Sequence, residues 1–206
     1  NGSSEMMTNL SMSLVNTLYN LQLMRFTGED GVAAYGVIMY VNFIFVAIYM
    51  GYSIGSAPIV GYHYGAKHQE ELRGLLRRSL WILGIGAVLL TVAGELFSSP
   101  LSKIFVSYDD ALFAMTRHGF RLYSLSYLLC GFNIFGSAFF TALNNGMVSA
   151  VISFARTLVF QIVCVLVLPI FLELNGIWIS ILVAEFLGIL VTASLLIANR
   201  KKYSYF

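Results

Sequence analysis

Charge is what this sequence has least of. Only 11% of its 206 residues are Asp, Glu, Lys or Arg, less than half of the about 25% that a water-facing domain carries. So little polar surface cannot cover a soluble globule of this size, and lipid is left as the solvent. Cysteine is as scarce. Cys130 and Cys164 both fall inside apolar runs, where they read as small packing residues and not as a disulfide or a metal pair. No HExxH, CxxC or phosphate-binding loop occurs. Ser53 stands in GYSIG, faintly like a nucleophile turn, but His63, His68 and His118 all lie at or near span ends. A serine hydrolase would need its base beside the serine at membrane depth. An enzyme is therefore not expected, nor a cofactor. The net charge of +2 has no basic stripe with interleaved aromatics behind it, which argues against nucleic acid as a partner.

What is abundant is apolar surface: 58% of the residues, with a mean hydropathy of +0.80. A bilayer core about 30 Å thick needs about 20 predominantly apolar residues per helix. Six such spans are expected, at about 4–26, 34–62, 79–99, 118–143, 147–172 and 176–199. TGEDG, a basic cluster, SSPLSKIFVSYDD, NNG and ELNG separate them, and NRKK closes the last. The opening NGSSEMMTNLS has neither a starting Met nor a basic stretch typical of a cleavable signal, and reads as the start of a fragment or a half.

Orientation follows from Lys and Arg. Lys67, Arg73, Arg77, Arg78, Arg156, Arg200, Lys201 and Lys202 fall on the side of the chain's two ends. The opposite side holds Arg25, Lys103, Arg117 and Arg121 among six carboxylates. Both termini are therefore expected in the cytoplasm. In the second span, Gly51 with Gly55 and Gly61 with Gly65 are spaced to let another helix approach closely, and Pro58 is expected to bend or loosen the helix.

Two carboxylates lie in or near these spans. Glu185 is nine residues into the sixth, about 13 Å deep, where an ionised group must be paired, protonated or water-exposed. Glu5 opens the first span, where it either balances the helix dipole or, if the helix begins further upstream, lies deeper. Asn9, Asn16 and Asn20 recur on one face of the same helix, a face that looks at a cavity or another helix and not at lipid. Asn133 is a further polar residue within a span. Tyr35, Tyr40, Tyr123 and Tyr127 sit near span ends, as interfacial tyrosines do.

Several pieces, in this order and spacing, resemble the C-terminal lobe of the multidrug and toxic compound extrusion (MATE) family. They are GSSEMMTNLSMSLVNTLYNLQL, AAYGV, GYSIGSAPIVGYHYGAK, SKIFVSYDDALFAMTRHGFRLYS, FTALNNG and LNGIWISILVAE, which together cover essentially the whole chain. The resemblance implies an all-α integral membrane protein in which residues 1–206 form one six-helix lobe of a two-lobed transporter. It implies ion-coupled antiport, with Na+ or H+ exchanged for organic cations and amphiphilic drugs across the cell (plasma or inner) membrane. Its partners would be the lipid bilayer and an N-terminal lobe of the same polypeptide, or a second copy of this one. The site candidates are Glu5, Glu185, Asn133, Asn9, Asn16 and Asn20. Where some sodium-type members carry an acid on the fourth helix of this lobe, RLYSLSYLLCGFNIFGSAFF has none, and Asn133 is its best polar residue. The alternatives are a lipid-linked-saccharide flippase of the same superfamily, for which Arg156 would meet phosphate, and a non-transporting scaffold or truncated half.

Overall fold

The computed structural model describes residues 2–203 and 205, with side chains from position 11 onward. Helix is the only regular structure among them. The elements are α1 (Gly2–Thr27), α2 (Glu29–Gly65), α3 (Gln69–Val106), α4 (Asp110–Ser124), α5 (Tyr127–Ala142), α6 (Gly146–Phe154), a π-helical segment (Ala155–Phe160) and α7 (Gln161–Tyr203). Helices α2 and α3 are each long and apolar enough to cross a membrane. So are α4 and α5 together, bent by 47°. The run Gly146–Tyr203 has 58 residues, well over twice what one crossing needs, and it breaks at Glu173 (φ 50°, ψ −133°) into two. With α1, and with α4 and α5 taken as one bent run, the chain has six helical runs.

The connections are tighter than the sequence implies. Gly28 alone separates α1 from α2, and its φ of 67° with ψ of −147° is a conformation that glycine adopts without a side-chain clash. The basic cluster is not a loop. Arg73, Arg77 and Arg78 ride on α3, because only positions 66–68 form the turn. That turn and the one after α5 are built alike. His68 N–H donates to His63 O and Asn145 N–H to Phe140 O, both at 2.9 Å. Lys67 and Asn144 hold the left-handed position in each, both with φ 58°, in the Schellman arrangement that satisfies a helix's last carbonyls. Most of SSPLSKIFVSYDD likewise belongs to α3, and the next helix begins at an Asp109 cap whose Oδ1 accepts from the Ala111 and Leu112 N–H groups.

The interior is aromatic. Trp178, Tyr19, Tyr127, Phe120, Phe135, Phe139 and Phe140 are fully buried, while Tyr40, Phe43, Ile44, Ile85, Leu89 and Phe171 lie exposed. Large apolar residues on the outside are what lipid tails require. Of the four tyrosines expected at the interface, only Tyr40 is exposed. Tyr35, Tyr123 and Tyr127 are buried; Tyr35 stacks on Tyr19 with ring centroids 5.2 Å apart, and Tyr127 receives the Tyr49 hydroxyl at its carbonyl, 2.7 Å away.

Close helix contacts also fall elsewhere than on the four glycines singled out. A Cβ at Gly51, Gly55 or Gly65 would meet nothing within 4 Å, and one at Gly61 would only touch Ala142 O at 3.6 Å. The tight approaches are at Gly94 against Ser124, Gly119 against the Trp178 ring and Gly131 against Tyr49. Glycine admits its neighbour there, as small residues do between membrane helices. Pro58 stands exposed inside a continuous α2. Cys130 and Cys164 are buried free thiols.

Candidate functional site

Where α5, the π segment and α7 meet, four polar side chains close on one another inside an apolar bundle. Arg156 Nη1 donates to Glu185 Oε1 at 2.8 Å. Asn133 Nδ2 donates to the other carboxylate oxygen, Oε2, at 2.7 Å and to the Glu185 main-chain carbonyl at 2.9 Å. Thr192 Oγ1 donates to Asn133 Oδ1 at 2.8 Å. Both carboxylate oxygens and both ends of the amide are therefore engaged. The Glu185 side chain is 2% exposed and that of Arg156 16%.

Counting helical rises gives the depth. Arg156 is ten residues past Gly146, about 15 Å; Asn133 is nine before Ala142, about 14 Å; Glu185 is twelve past the break at Glu173, about 18 Å. The cluster sits near the middle of a core about 30 Å thick. Arg156 is thus no cytoplasmic anchor, as its inclusion with the loop cations supposed. The fifth pass begins at Gly146 and the arginine comes nearly three turns later. A charge at that depth is costly alone, and the Glu185 carboxylate is what offsets it.

Local sequence makes the room. Glu185, Gly188 and Thr192 are spaced i, i+3, i+7 and share a helix face. A Cβ at Gly188 would crowd Asn133 Nδ2 and Arg156 Cγ, and one at Gly136 would strike the Thr192 methyl. Arg156 itself lies in the π segment, the widened turn that often marks functional positions in helices. The spacing of Glu185, Gly188 and Thr192 was readable in advance, but the arginine's partnership was not.

A second polar region joins α5 to α6. Ser137 Oγ lies 2.9 Å from Ser149 Oγ and 2.7 Å from Ser153 Oγ, and Thr141 Oγ1 lies 2.7 Å from Ser149 Oγ. Of the asparagines on α1, Asn16 is exposed and accepts the Tyr35 hydroxyl at 3.0 Å, and Asn20 is half-buried. The side chains of Glu5 and Asn9 lie outside the described residues. Glu185 and Asn133 are brought together; Asn16 and Asn20 remain on α1, with no recorded bond to that pair. Ser53 Oγ is buried without a hydrogen-bond partner among the described residues, so no base activates it. No group of three or more metal-ligating side chains occurs among them either.

Helices long and apolar enough to cross a membrane, with large apolar residues exposed and a charge pair enclosed between them, define a polytopic helical membrane protein. The chain belongs to the MatE family, whose model matches residues 6–167, a family of transporters and not of enzymes. It is 23% identical over 107 residues to the "Probable multidrug resistance protein YoeA" of Bacillus subtilis (strain 168), covering 52% of this chain and 23% of that protein. Its fold matches the outward-facing conformation of a multidrug resistance MATE family transporter of the MOP superfamily with a TM-score of 0.85 at 21% identity, over 97% of this chain and 46% of that one. The inward-facing conformation of such a transporter matches with a TM-score of 0.85 at 22% identity, over 94% and 46%. The chain spans about half the length of the solved transporters it matches.

Proposed function

We propose that this chain is the C-terminal six-helix lobe of an ion-coupled antiporter that exports organic cations and amphiphilic drugs by alternating access, with both chain ends in the cytoplasm. The Arg156–Glu185 pair at mid-depth carries the reading, since buried intramembrane charges mark ion and substrate pathways. Equal similarity to inward- and outward-facing structures supports a lobe that moves as a rigid body. The seven cations at positions 67–78 and 200–202 support the orientation.

In this mechanism Glu185 is an exchange carboxylate. Oε1 is held by Arg156, so Na+ or H+ binding at the carboxylate competes with the guanidinium for its negative charge. Arginine stays charged, so its release obliges it to seek another partner or water, and the π segment that bears it shifts with it. Cation binding and the position of the fifth pass are thereby linked, each biasing the other. Asn133 and Thr192 keep the carboxylate oriented throughout. The exposed Asn16 on α1 faces the cavity shared with the second lobe.

The test is Glu185→Gln in the complete transporter. Extrusion of a cationic dye should fall more than the amount of folded protein in the membrane falls, so the rate per inserted molecule is the quantity read. Dye extrusion at the wild-type rate would remove Glu185 from the coupling step. The saccharide-flippase alternative needs a free cation for phosphate, and Arg156 is already committed to a carboxylate.

A further inference from the structure

At the end of the bundle that holds the α2–α3 turn, a cavity of about 90 Å³ opens between that turn and the last turn of α7. His63, Tyr64, Lys67, Gln69, Leu72, Lys202 and Tyr203 line it. No carboxylate does, and neither Lys67 nor Lys202 makes a salt bridge among the described residues. Lys202 Nζ instead sits 5.2 Å over the Tyr203 ring. His63 Nδ1 is buried and has no hydrogen-bond partner among the described residues. The surroundings are one-sided too: positions 63–78 and 199–203 carry seven Lys and Arg against Glu70 and Glu71.

The fold builds this site from distant parts of the chain. The Schellman turn places Lys67 at its left-handed position, and Tyr203 packs edge-on to Tyr64 at 5.6 Å, which brings Lys202 to the other wall. Tyr203 also lies within ring contact of Phe140 on α5, so the wall is anchored in the core. Ile59, one turn from His63 on the same face of α2, is exposed and apolar. Two cations beside an exposed apolar residue one helical turn away match the charged head and the acyl start of a phospholipid. Basic pockets between membrane helices on the cytoplasmic side are where anionic headgroups dock.

We propose that this cavity binds the phosphate of an anionic membrane phospholipid, with Lys67 and Lys202 holding the phosphate and an acyl chain running along Ile59. The cytoplasmic placement rests on the orientation proposed above. The binding itself does not depend on transport, so its test stands apart from that of Glu185.

The protein purified from its source membrane would be stripped of lipid in detergent. Phosphatidylglycerol, phosphatidylcholine or inorganic phosphate would then be added, with adducts read by native mass spectrometry and unfolding by Tm. Phosphatidylglycerol should bind and raise Tm, while phosphatidylcholine and phosphate should do neither. Lys67→Gln with Lys202→Gln should weaken phosphatidylglycerol binding roughly thirtyfold, the value of two cations near an anionic surface. Arg200→Gln with Lys201→Gln, which removes equal charge outside the cavity, should leave it within about twofold, since screening blunts charge that makes no direct contact. Equal losses in the two double variants would overturn the site in favour of diffuse surface charge. Inorganic phosphate binding as well as the lipid would overturn the lipid assignment.

Discussion

Gly188 lies directly against Asn133: a Cβ on the glycine would fall 2.8 Å from the amide Nδ2 and 3.3 Å from Arg156 Cγ. The glycine is thus the space in which the amide reaches Glu185. Gly188→Ala should force the amide or the arginine aside and destabilise the protein by about 1–3 kcal/mol, the usual cost of overpacking. Denaturant unfolding in micelles measures it, and an unchanged midpoint would mean that the neighbours yield freely.

The ion pair should behave non-additively. Arg156→Gln alone strands a buried carboxylate, and Glu185→Gln alone strands a buried guanidinium. Each should cost about 3–5 kcal/mol. The double substitution should cost well under the sum, because neither charge is left behind. Additive losses in a double-mutant cycle would show that the two side chains do not depend on each other.

Gly176 faces backbone and not a side chain. A Cβ there would come within 2.5 Å of Leu168 C and O and 2.7 Å of Pro169 N. Main chain cannot rotate out of the way, so Gly176→Ala should separate the two halves of α7 near their turn and lower the yield of folded protein sharply. Normal yield and an unshifted Tm would contradict the close approach.

Gly51→Ala and Gly55→Ala should do the opposite. Nothing stands within 4 Å of either added methyl, and alanine in a helix interior gains about 0.5–1 kcal/mol over glycine. Each variant should match or exceed the wild-type Tm. A loss would place an unseen neighbour on that face of α2.

Tyr49→Phe removes a single bond, from the hydroxyl to the Tyr127 carbonyl at 2.7 Å. The expected cost is about 0.6 kcal/mol, an average for hydrogen bonds between membrane helices. It would be read as a small fall in Tm with the ring packing against Gly131 retained.

The helical runs themselves were legible because lipid demands long apolar stretches, and Glu185 stood out because charge there is expensive. Helix faces were not legible. On a membrane helix both the packed and the lipid-facing sides are apolar, so periodicity does not say that Tyr35 and Tyr123 turn inward or that Gly131, and not Gly51, meets a neighbour. Arg156 was misplaced for a related reason. A lone cation ten residues past a turn looks like part of the turn unless its partner is known, and Glu185 is 29 positions away. The turns were overestimated because polar residues such as Arg73 and Lys103 continue their helices beyond the lipid.

The widened turn at positions 155–160 holds one residue more than an α-helix would use over the same rise. One residue corresponds to about 100° of rotation. Ser149 and Ser153 before it can therefore point at α5, while Val165 after it, whose carbonyl accepts the Gln22 amide at 3.2 Å, can point at α1. A single-residue deletion here would leave a seamless helix of the same composition whose outer half presents the wrong side to its neighbours. Aligned with relatives that lack the extra residue, the chain keeps true register only with a gap placed inside this turn.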